Sequence, residues 1–140
     1  MTRILIVEDE PGMRMSLTTM LVGAGWEVVA VATLAEAVLR VEDVDAVLLD
    51  LSLPDASGML AVERLQPTGL PIVVLTGDDS RETLEDALLA GADDVLTKPS
   101  PARPIVEALL KALFRRRVCV PVVTEAIVRG FREWRPTLVG

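Results

Sequence analysis

The segment Ile4-Leu5-Ile6-Val7-Glu8-Asp9-Glu10 places four consecutive aliphatic residues directly before three acids. A second segment repeats this arrangement, because Val47-Leu48-Leu49 runs directly into Asp50. Continuous aliphatic runs of this length are typical of strands that are buried on both faces of a parallel sheet. The two segments therefore predict buried parallel strands whose carboxyl ends carry acidic side chains.

Three further apolar runs occur along the chain, and segments with helical periodicity separate all five. In the first of these segments, Met13, Leu17 and Leu21 share one face before Gly23-Ala24-Gly25 ends the helix. Strands and helices that alternate in this way favour a flavodoxin-like (βα)5 α/β fold, which is a doubly wound parallel sheet with strand order 2-1-3-4-5. The predicted strands are Ile4–Val7, Val28–Val31, Ala46–Leu49, Ile72–Leu75 and Val95–Leu96.

Polar residues gather where the predicted strands end. Asp9 follows the first strand, Asp50 the third and Thr76 the fourth, while Lys98 follows the fifth. Ligands bind beyond the carboxyl ends of the strands in an open parallel sheet, so we expect these four side chains to converge there. Carboxylates held close together repel one another unless a cation joins them. Because oxygen ligands suit Mg²⁺ (or Mn²⁺), the sequence predicts such an ion at this edge.

Asp50 is the natural nucleophile of this group, because no other acid lies beside it on the chain. A carboxylate accepts a phosphoryl group as an acyl phosphate when a metal shields the incoming charge. Lys98 offers a point charge to such a group and Thr76 offers a hydrogen bond. Glu8 and Asp9 then form the metal's side of the site.

Four blocks of the sequence resemble the receiver domain of two-component response regulators, in order and at the family's spacing. The resemblance covers about residues 3–117 and implies a phosphorelay switch with Asp50 as phosphoacceptor, rather than a turnover enzyme. The blocks are Ile4-Leu5-Ile6-Val7-Glu8-Asp9-Glu10, Val47-Leu48-Leu49-Asp50-Leu51-Ser52-Leu53-Pro54-Asp55, Val74-Leu75-Thr76-Gly77 and Gly91-Ala92-Asp93-Asp94-Val95-Leu96-Thr97-Lys98-Pro99.

The same resemblance implies a metal site that binds Mg²⁺ (or Mn²⁺). Asp9 and Asp50 would bind the ion directly, Glu8 would bind it through a water molecule, and the backbone carbonyl of Ser52 would complete the shell. Glu8 stands where the family more often has Asp. The extra methylene group suits a role that acts through water.

The resemblance also implies a switch. Thr76 would be the switch hydroxyl and Lys98 the phosphate-binding lysine, with a cis peptide bond between Lys98 and Pro99. Val95 occupies the position that usually carries the Tyr or Phe of this switch, and the chain contains no Tyr. The threonine half of the switch is therefore present while the aromatic half is missing.

The resemblance further implies partners. The phosphoryl donor would be a phosphohistidine of a sensor histidine kinase or of a histidine phosphotransfer protein. Because this sequence contains no His, we expect the donor on another molecule or on another region of a longer chain. Phosphorylation would rearrange the face formed by the fourth helix, the fifth strand and the fifth helix, through which the domain could form a homodimer.

Charge and composition exclude several classes of function. Residues 1–114 carry 8 basic and 19 acidic side chains, so residues 1–117 are expected to repel nucleic acid rather than bind it. The absence of His excludes His-based triads and His-ligated metals, and the single Cys excludes an internal disulfide. The apolar runs are shorter than the roughly 18 residues that span a bilayer, which predicts no membrane segment and a cytoplasmic protein.

The last residues differ from the rest of the chain. Residues 115–140 carry 6 basic and 2 acidic side chains, which reverses the sign of the charge. We expect a receiver domain at 1–117 and a C-terminal extension or linker at 118–140. In this extension, Ile127, Phe131 and Trp134 would share one face of a short helix.

Two other functions fit parts of the pattern. One is an Mg²⁺-dependent phosphohydrolase with an aspartyl nucleophile. Such an enzyme would need a substrate-covering cap and a second acid two residues after Asp50, but this chain has Ser52 at that position. A pseudo-receiver that binds partners without phosphorylation would fit Val95, but it would not need the full set of acids, threonine and lysine. The remaining acids at the strand ends, Glu10, Asp55, Asp78 and Asp79, are expected to cap helices or form turns.

Overall fold

The computed structural model describes residues 1–56 and 59–119. Within these residues, five strands alternate with five α-helices, and a 3₁₀ turn follows each of the second and third helices. The elements are β1 (Arg3–Val7), α1 (Pro11–Gly23), β2 (Glu27–Val31), α2 (Leu34–Val38), β3 (Ala46–Asp50), α3 (Leu60–Leu65), β4 (Ile72–Thr76), α4 (Arg81–Ala90), β5 (Asp94–Thr97) and α5 (Ala102–Cys119).

The strands form one parallel sheet in the order β2-β1-β3-β4-β5, which confirms the predicted fold class and strand order. The register places Val7 of β1 opposite Leu49 of β3, and Asp50 opposite Leu75 of β4. The carboxyl ends of the three central strands therefore meet at one edge of the sheet.

Every residue of β3 is buried, and successive side chains enter two different cores. Ala46 and Leu48 belong to the core that α1 and α5 cover, whereas Val47 and Leu49 belong to the core that α2, α3 and α4 cover. This distribution explains why the strand is apolar at consecutive positions rather than at alternate ones. It also fixes the position of the last residue, Asp50, which is 3% exposed.

Acidic side chains cap the first two helices. Glu10 precedes α1, and its carboxylate accepts hydrogen bonds from the backbone N–H groups of Gly12 and Met13 at 2.9 and 2.6 Å. Asp55 accepts from the N–H groups of Leu34 and Ala35, both at 2.9 Å, and so caps α2 from a loop about twenty residues away. The capping role predicted for Glu10 is confirmed, because helix N-termini leave N–H donors that carboxylates satisfy. Asp55 also caps a helix, but this helix is the earlier α2 and not the next one along the chain.

Helix α4 is anchored chiefly at its ends. Ser80 caps its first turn by accepting from the Thr83 N–H at 3.2 Å. Ala87 is the one buried residue among the ten of α4, all of which the structure describes. Gly91 ends the helix with φ of +122°, and a Cβ there would collide with the side chain of Gln66. Glycine is therefore required at this position.

Helix α5 continues to Cys119, two residues past the expected domain boundary at 117. The expected short helix with Ile127, Phe131 and Trp134 lies outside the described residues. Within residues 102–115 of α5, for which the burial is described, the buried residues run from Ile105 to Leu113. Among the helices of the described part of the chain, none combines the length and apolar character needed to cross a membrane.

Candidate functional site

The carboxyl edge of the sheet brings the predicted acids together. Glu8 and Asp9 directly follow β1, and Asp50 ends the neighbouring β3. One carboxylate oxygen of each residue lies within 4.8 Å of the others. Glu8 and Asp50 are buried, whereas Asp9 is exposed to solvent. An exclusively oxygen donor set with one open, solvent-facing side is the kind of site that Mg²⁺ or Mn²⁺ prefers.

Lys98, in the loop after β5, connects two of these acids. Its Nζ lies 3.0 Å from Oε1 of Glu8 and 3.0 Å from Oδ1 of Asp50. Burial alone would lower the pKa of Lys98, but the hydrogen bonds to Asp50 and Glu8 outweigh it and raise the pKa above its ordinary value. The ammonium is therefore a permanent positive charge at physiological pH, in direct contact with the buried carboxylates.

Glu8 has a strongly raised pKa. Burial, followed by the adjacent Asp50 carboxylate, raises the pKa of Glu8 to about 7, and the bond from Lys98 offsets only part of this effect. Its Oε1 accepts from Lys98, while its Oε2 accepts from the Glu10 N–H at 3.3 Å. Both oxygens therefore already have protein donors.

Asp50 and Asp9 differ in how their carboxylates are engaged. Lys98 and the backbone N–H of Ser52 both donate to Oδ1 of Asp50, at 3.0 and 3.2 Å, so neither of these donors occupies Oδ2. Within residues 1–56 and 59–119, no protein donor bonds to the Asp9 carboxylate. The oxygens of Asp9 and Oδ2 of Asp50 are therefore the ones that neither Lys98 nor a backbone N–H of the described residues contacts, and the Asp50 carboxylate also interacts with the side chain of Glu8.

Sequence reasoning did not single out Arg14. This residue of α1 contacts the backbone of the acidic segment that follows β1. Its Nη1 donates to the backbone carbonyls of Glu8 and Asp9 at 2.9 and 3.2 Å. Side chains of an α-helix point back toward its N-terminus, so an arginine in the first turns reaches the preceding loop. A basic residue four positions after the acidic block was the available signal.

Thr76 is the last residue of β4. It lies close to Asp50 because Asp50 pairs with the preceding residue, Leu75. The side chain is buried, and its Oγ1 accepts a hydrogen bond from the Asp78 N–H at 3.0 Å. Asp78 in turn accepts from the Ser80 N–H at 2.8 Å and from Oγ1 of Thr83 at 2.7 Å. The expected turn role of Asp78 is confirmed, and the bonds from Thr83 and Ser80 lower its pKa.

Strand β5 and the loop after it contain two further residues for which the sequence made a prediction, Val95 and Lys98. Val95 is half-buried on β5 and packs against the core beneath α4. The Lys98–Pro99 peptide bond is cis, as the resemblance implies. Together, the acids, the lysine and the sheet define an α/β domain with a cluster of acids at one edge of the sheet, next to a buried hydroxyl.

Known proteins resemble this chain in both sequence and fold. Residues 4–110 match the family model of the response regulator receiver domain. The chain is 38% identical over 119 residues to the KDP operon transcriptional regulatory protein KdpE of Escherichia coli, covering 83% of this chain and 52% of KdpE. It is 36% identical over 117 residues to the probable transcriptional regulatory protein TcrX of Mycobacterium tuberculosis, covering 81% and 50%.

Among solved structures, a CheY-like receiver domain protein from Methanospirillum hungatei superimposes with a TM-score of 0.75 and 32% identity, covering 84% of this chain and 98% of that one. The chain therefore belongs to the response regulator receiver domain family, whose members are the phosphoacceptors of two-component signalling. It spans about half the length of the curated relatives that it matches.

Proposed function

We propose that this domain accepts a phosphoryl group on Asp50 from a phosphohistidine of a sensor histidine kinase or a histidine phosphotransfer protein. The observation that carries the proposal is the placement of Asp50. Its carboxylate is 3% exposed at the end of a fully buried strand, 3.0 Å from the Lys98 ammonium and beside two further acids. A fixed carboxylate next to a fixed cation suits in-line transfer of a highly charged group.

The acids are proposed to hold Mg²⁺ (or Mn²⁺). Asp9 and Asp50 would bind the ion directly, since these carboxylates retain oxygens without a protein donor in the described contacts. Glu8, whose two oxygens accept from Lys98 and Glu10, would act through water. The Ser52 backbone carbonyl would complete the shell. When bound, the ion neutralises charge on the transferred group.

The remaining residues act on the phosphoryl group itself. An oxygen of Asp50 forms the new bond to phosphorus while the bond from phosphorus to the donor imidazole nitrogen breaks, and the imidazole leaves. Lys98 binds a phosphoryl oxygen through its ammonium. Thr76 then offers its hydroxyl to another phosphoryl oxygen, which moves the loop that follows β4. The domain promotes only its own phosphorylation and dephosphorylation.

The proposed receiver unit is 1–117, with 118–140 as an extension or linker. Its proposed output surface is the face of α4, β5 and α5. Exposed apolar residues occur on both helices, with Leu88 on α4 and Leu110 and Phe114 on α5. A second copy of the domain would cover part of this face after phosphorylation. The excess of acidic side chains over residues 1–114 argues against direct nucleic-acid binding by this unit.

The phosphoacceptor is tested by incubation with acetyl phosphate and Mg²⁺, followed by intact mass spectrometry. We expect one labile adduct in the natural chain, none in Asp50→Asn and none in the presence of EDTA. Asp86→Asn, which changes the charge equally at an exposed position of α4, is the matched control and should retain the adduct. An undiminished adduct in Asp50→Asn would exclude Asp50 as the acceptor.

A further inference from the structure

A continuous set of hydrogen bonds joins Thr76 to the first turn of α4. The Asp78 N–H donates to Thr76 Oγ1 at 3.0 Å, and Asp78 Oδ2 accepts from Thr83 Oγ1 at 2.7 Å. The second Asp78 oxygen, Oδ1, accepts from the Ser80 N–H at 2.8 Å. One residue therefore contacts the buried hydroxyl through its backbone and the helix through its carboxylate.

The bond from Asp78 also determines what the Thr76 hydroxyl can do. A threonine hydroxyl has one hydrogen to donate and two lone pairs to accept with. Since the Asp78 N–H occupies a lone pair, the hydrogen stays available to an acceptor on the other side. A phosphoryl oxygen on the neighbouring Asp50 is an acceptor of that kind.

Apart from this connection, helix α4 is only weakly attached to the rest of the domain. Ala87 is the buried residue of the helix, whereas Leu88 and Leu89 are 51% and 86% exposed. Elements with few buried apolar contacts open and shift at low free-energy cost. A small displacement at the N-terminus of α4 is therefore enough to move it relative to the sheet.

We propose that Asp78 is a positioning residue that transmits movement of Thr76 to α4, an inference that rests on the proposed phosphorylation of Asp50. When the Thr76 hydroxyl moves toward the phosphoryl group, it draws the Asp78 backbone with it. The Asp78 carboxylate then pulls the Thr83 side chain and the first turn of α4. This route needs no aromatic side chain at Val95.

The test compares Thr83→Val, which removes the hydroxyl but keeps the shape of the side chain, with Thr83→Ser, which keeps the hydroxyl. Amide chemical shifts are recorded in the full chain before and after addition of beryllofluoride, a phosphoryl mimic, with Mg²⁺. Gly77 and Lys98 report on the site, whereas Leu84 and Ala87 report on α4. Asp78→Ala serves as a second way to break the connection.

In the natural chain and in Thr83→Ser, both groups of amides should shift. In Thr83→Val and Asp78→Ala, the shifts at Gly77 and Lys98 should persist while those at Leu84 and Ala87 fall about twofold or more, as expected from loss of one hydrogen bond in a two-state element.

Equal α4 shifts in Thr83→Val and the natural chain would overturn the inference, as would an equal loss in Thr83→Ser. Absence of any shift at Gly77 and Lys98 in the natural chain would instead overturn the proposed function, and this inference with it.

Discussion

The ammonium of Lys98 lies 3.0 Å from Oε1 of Glu8, a residue ninety positions earlier in the chain. This contact joins the first and last strands of the sequence across the acidic edge of the sheet. Without a bound metal, Lys98 is the cation that balances the buried carboxylates of Glu8 and Asp50. The stability of the metal-free domain should therefore depend on this lysine.

Replacement of Lys98 by Met leaves those carboxylates without their cation. Because an unpaired buried charge is costly, we expect the free energy of unfolding in EDTA to fall by about 1–3 kcal/mol at a pH above the Glu8 pKa of about 7. Lys98→Arg keeps the charge and should lose less. Urea unfolding of the three proteins measures the difference, and a Lys98→Met protein as stable as the natural chain would contradict the expectation.

Mg²⁺ should stabilise the domain without any phosphate. A ligand that binds only the folded state adds about 1.4 kcal/mol at roughly tenfold its Kd, or about 3–6 °C in Tm for a domain of this size. Asp9→Asn removes one repelling charge, so it should raise Tm in EDTA and reduce the Mg²⁺ increment. Asp86→Asn controls for net charge. Thermal melts showing the same increment in Asp9→Asn and the natural chain would mean that Asp9 is not a ligand.

Asp55 should make part of the stability dependent on pH. The N–H groups of Leu34 and Ala35 hold the pKa of Asp55 below its ordinary value. Because the folded-state pKa is the lower one, this stabilisation is present above the unfolded-state pKa and is lost as pH falls through the folded-state pKa. Asp55→Ala should therefore lower the urea midpoint near neutral pH, with a difference that shrinks in acid. A pH-independent difference would show that the charge does not matter.

Gly91→Ala should destabilise the domain, because the new Cβ would meet Gln66 and φ of +122° is strained for alanine. We expect a loss of about 1–2 kcal/mol in the free energy of unfolding. Gly23→Ala is the matched control, since nothing lies within 4 Å of a Cβ at the end of α1, and it should be neutral or slightly stabilising. Chemical denaturation that ranks the two variants the other way would refute this account.

Removal of residues 120–140 should leave the thermal stability of the domain nearly unchanged. The two cores of the described chain contain residues from Ile4 to Leu113, which all precede the cut. The melting temperature of a chain ending at Cys119 is compared with that of the full chain at several protein concentrations. A drop of several degrees in a monomeric protein would place part of the core in the extension.

The sheet and the acidic edge could be predicted from sequence because each depends on local pattern and on one general rule. Aliphatic runs such as Ala46–Leu49 identify buried strands, and the ends of parallel strands meet. The positions of Asp9 and Asp50 follow from that rule alone. Their roles as metal ligands and as phosphoacceptor stay predictions until they are measured.

Other contacts could not be predicted because they depend on how loops pack. Asp55 caps α2 from another loop, and nothing near Leu34 in the sequence indicates that partner. Likewise, the bond from Thr83 to Asp78 requires the particular turn that the loop after β4 adopts. Such contacts are set by distances between segments rather than by residue pattern.

The burial of β3 on both faces has a consequence for the time scale of events at the site. Amide hydrogens in the middle of such a strand, at Leu48 and Leu49, should exchange with solvent only through global unfolding, whereas those of α4 should exchange through local opening. We therefore expect the backbone that carries Asp50 to stay in place during the microsecond-to-millisecond motions that displace a helix. If Asp50 accepts a phosphoryl group as proposed, we expect separate mutations to change the lifetime of that group and the speed of the response at α4.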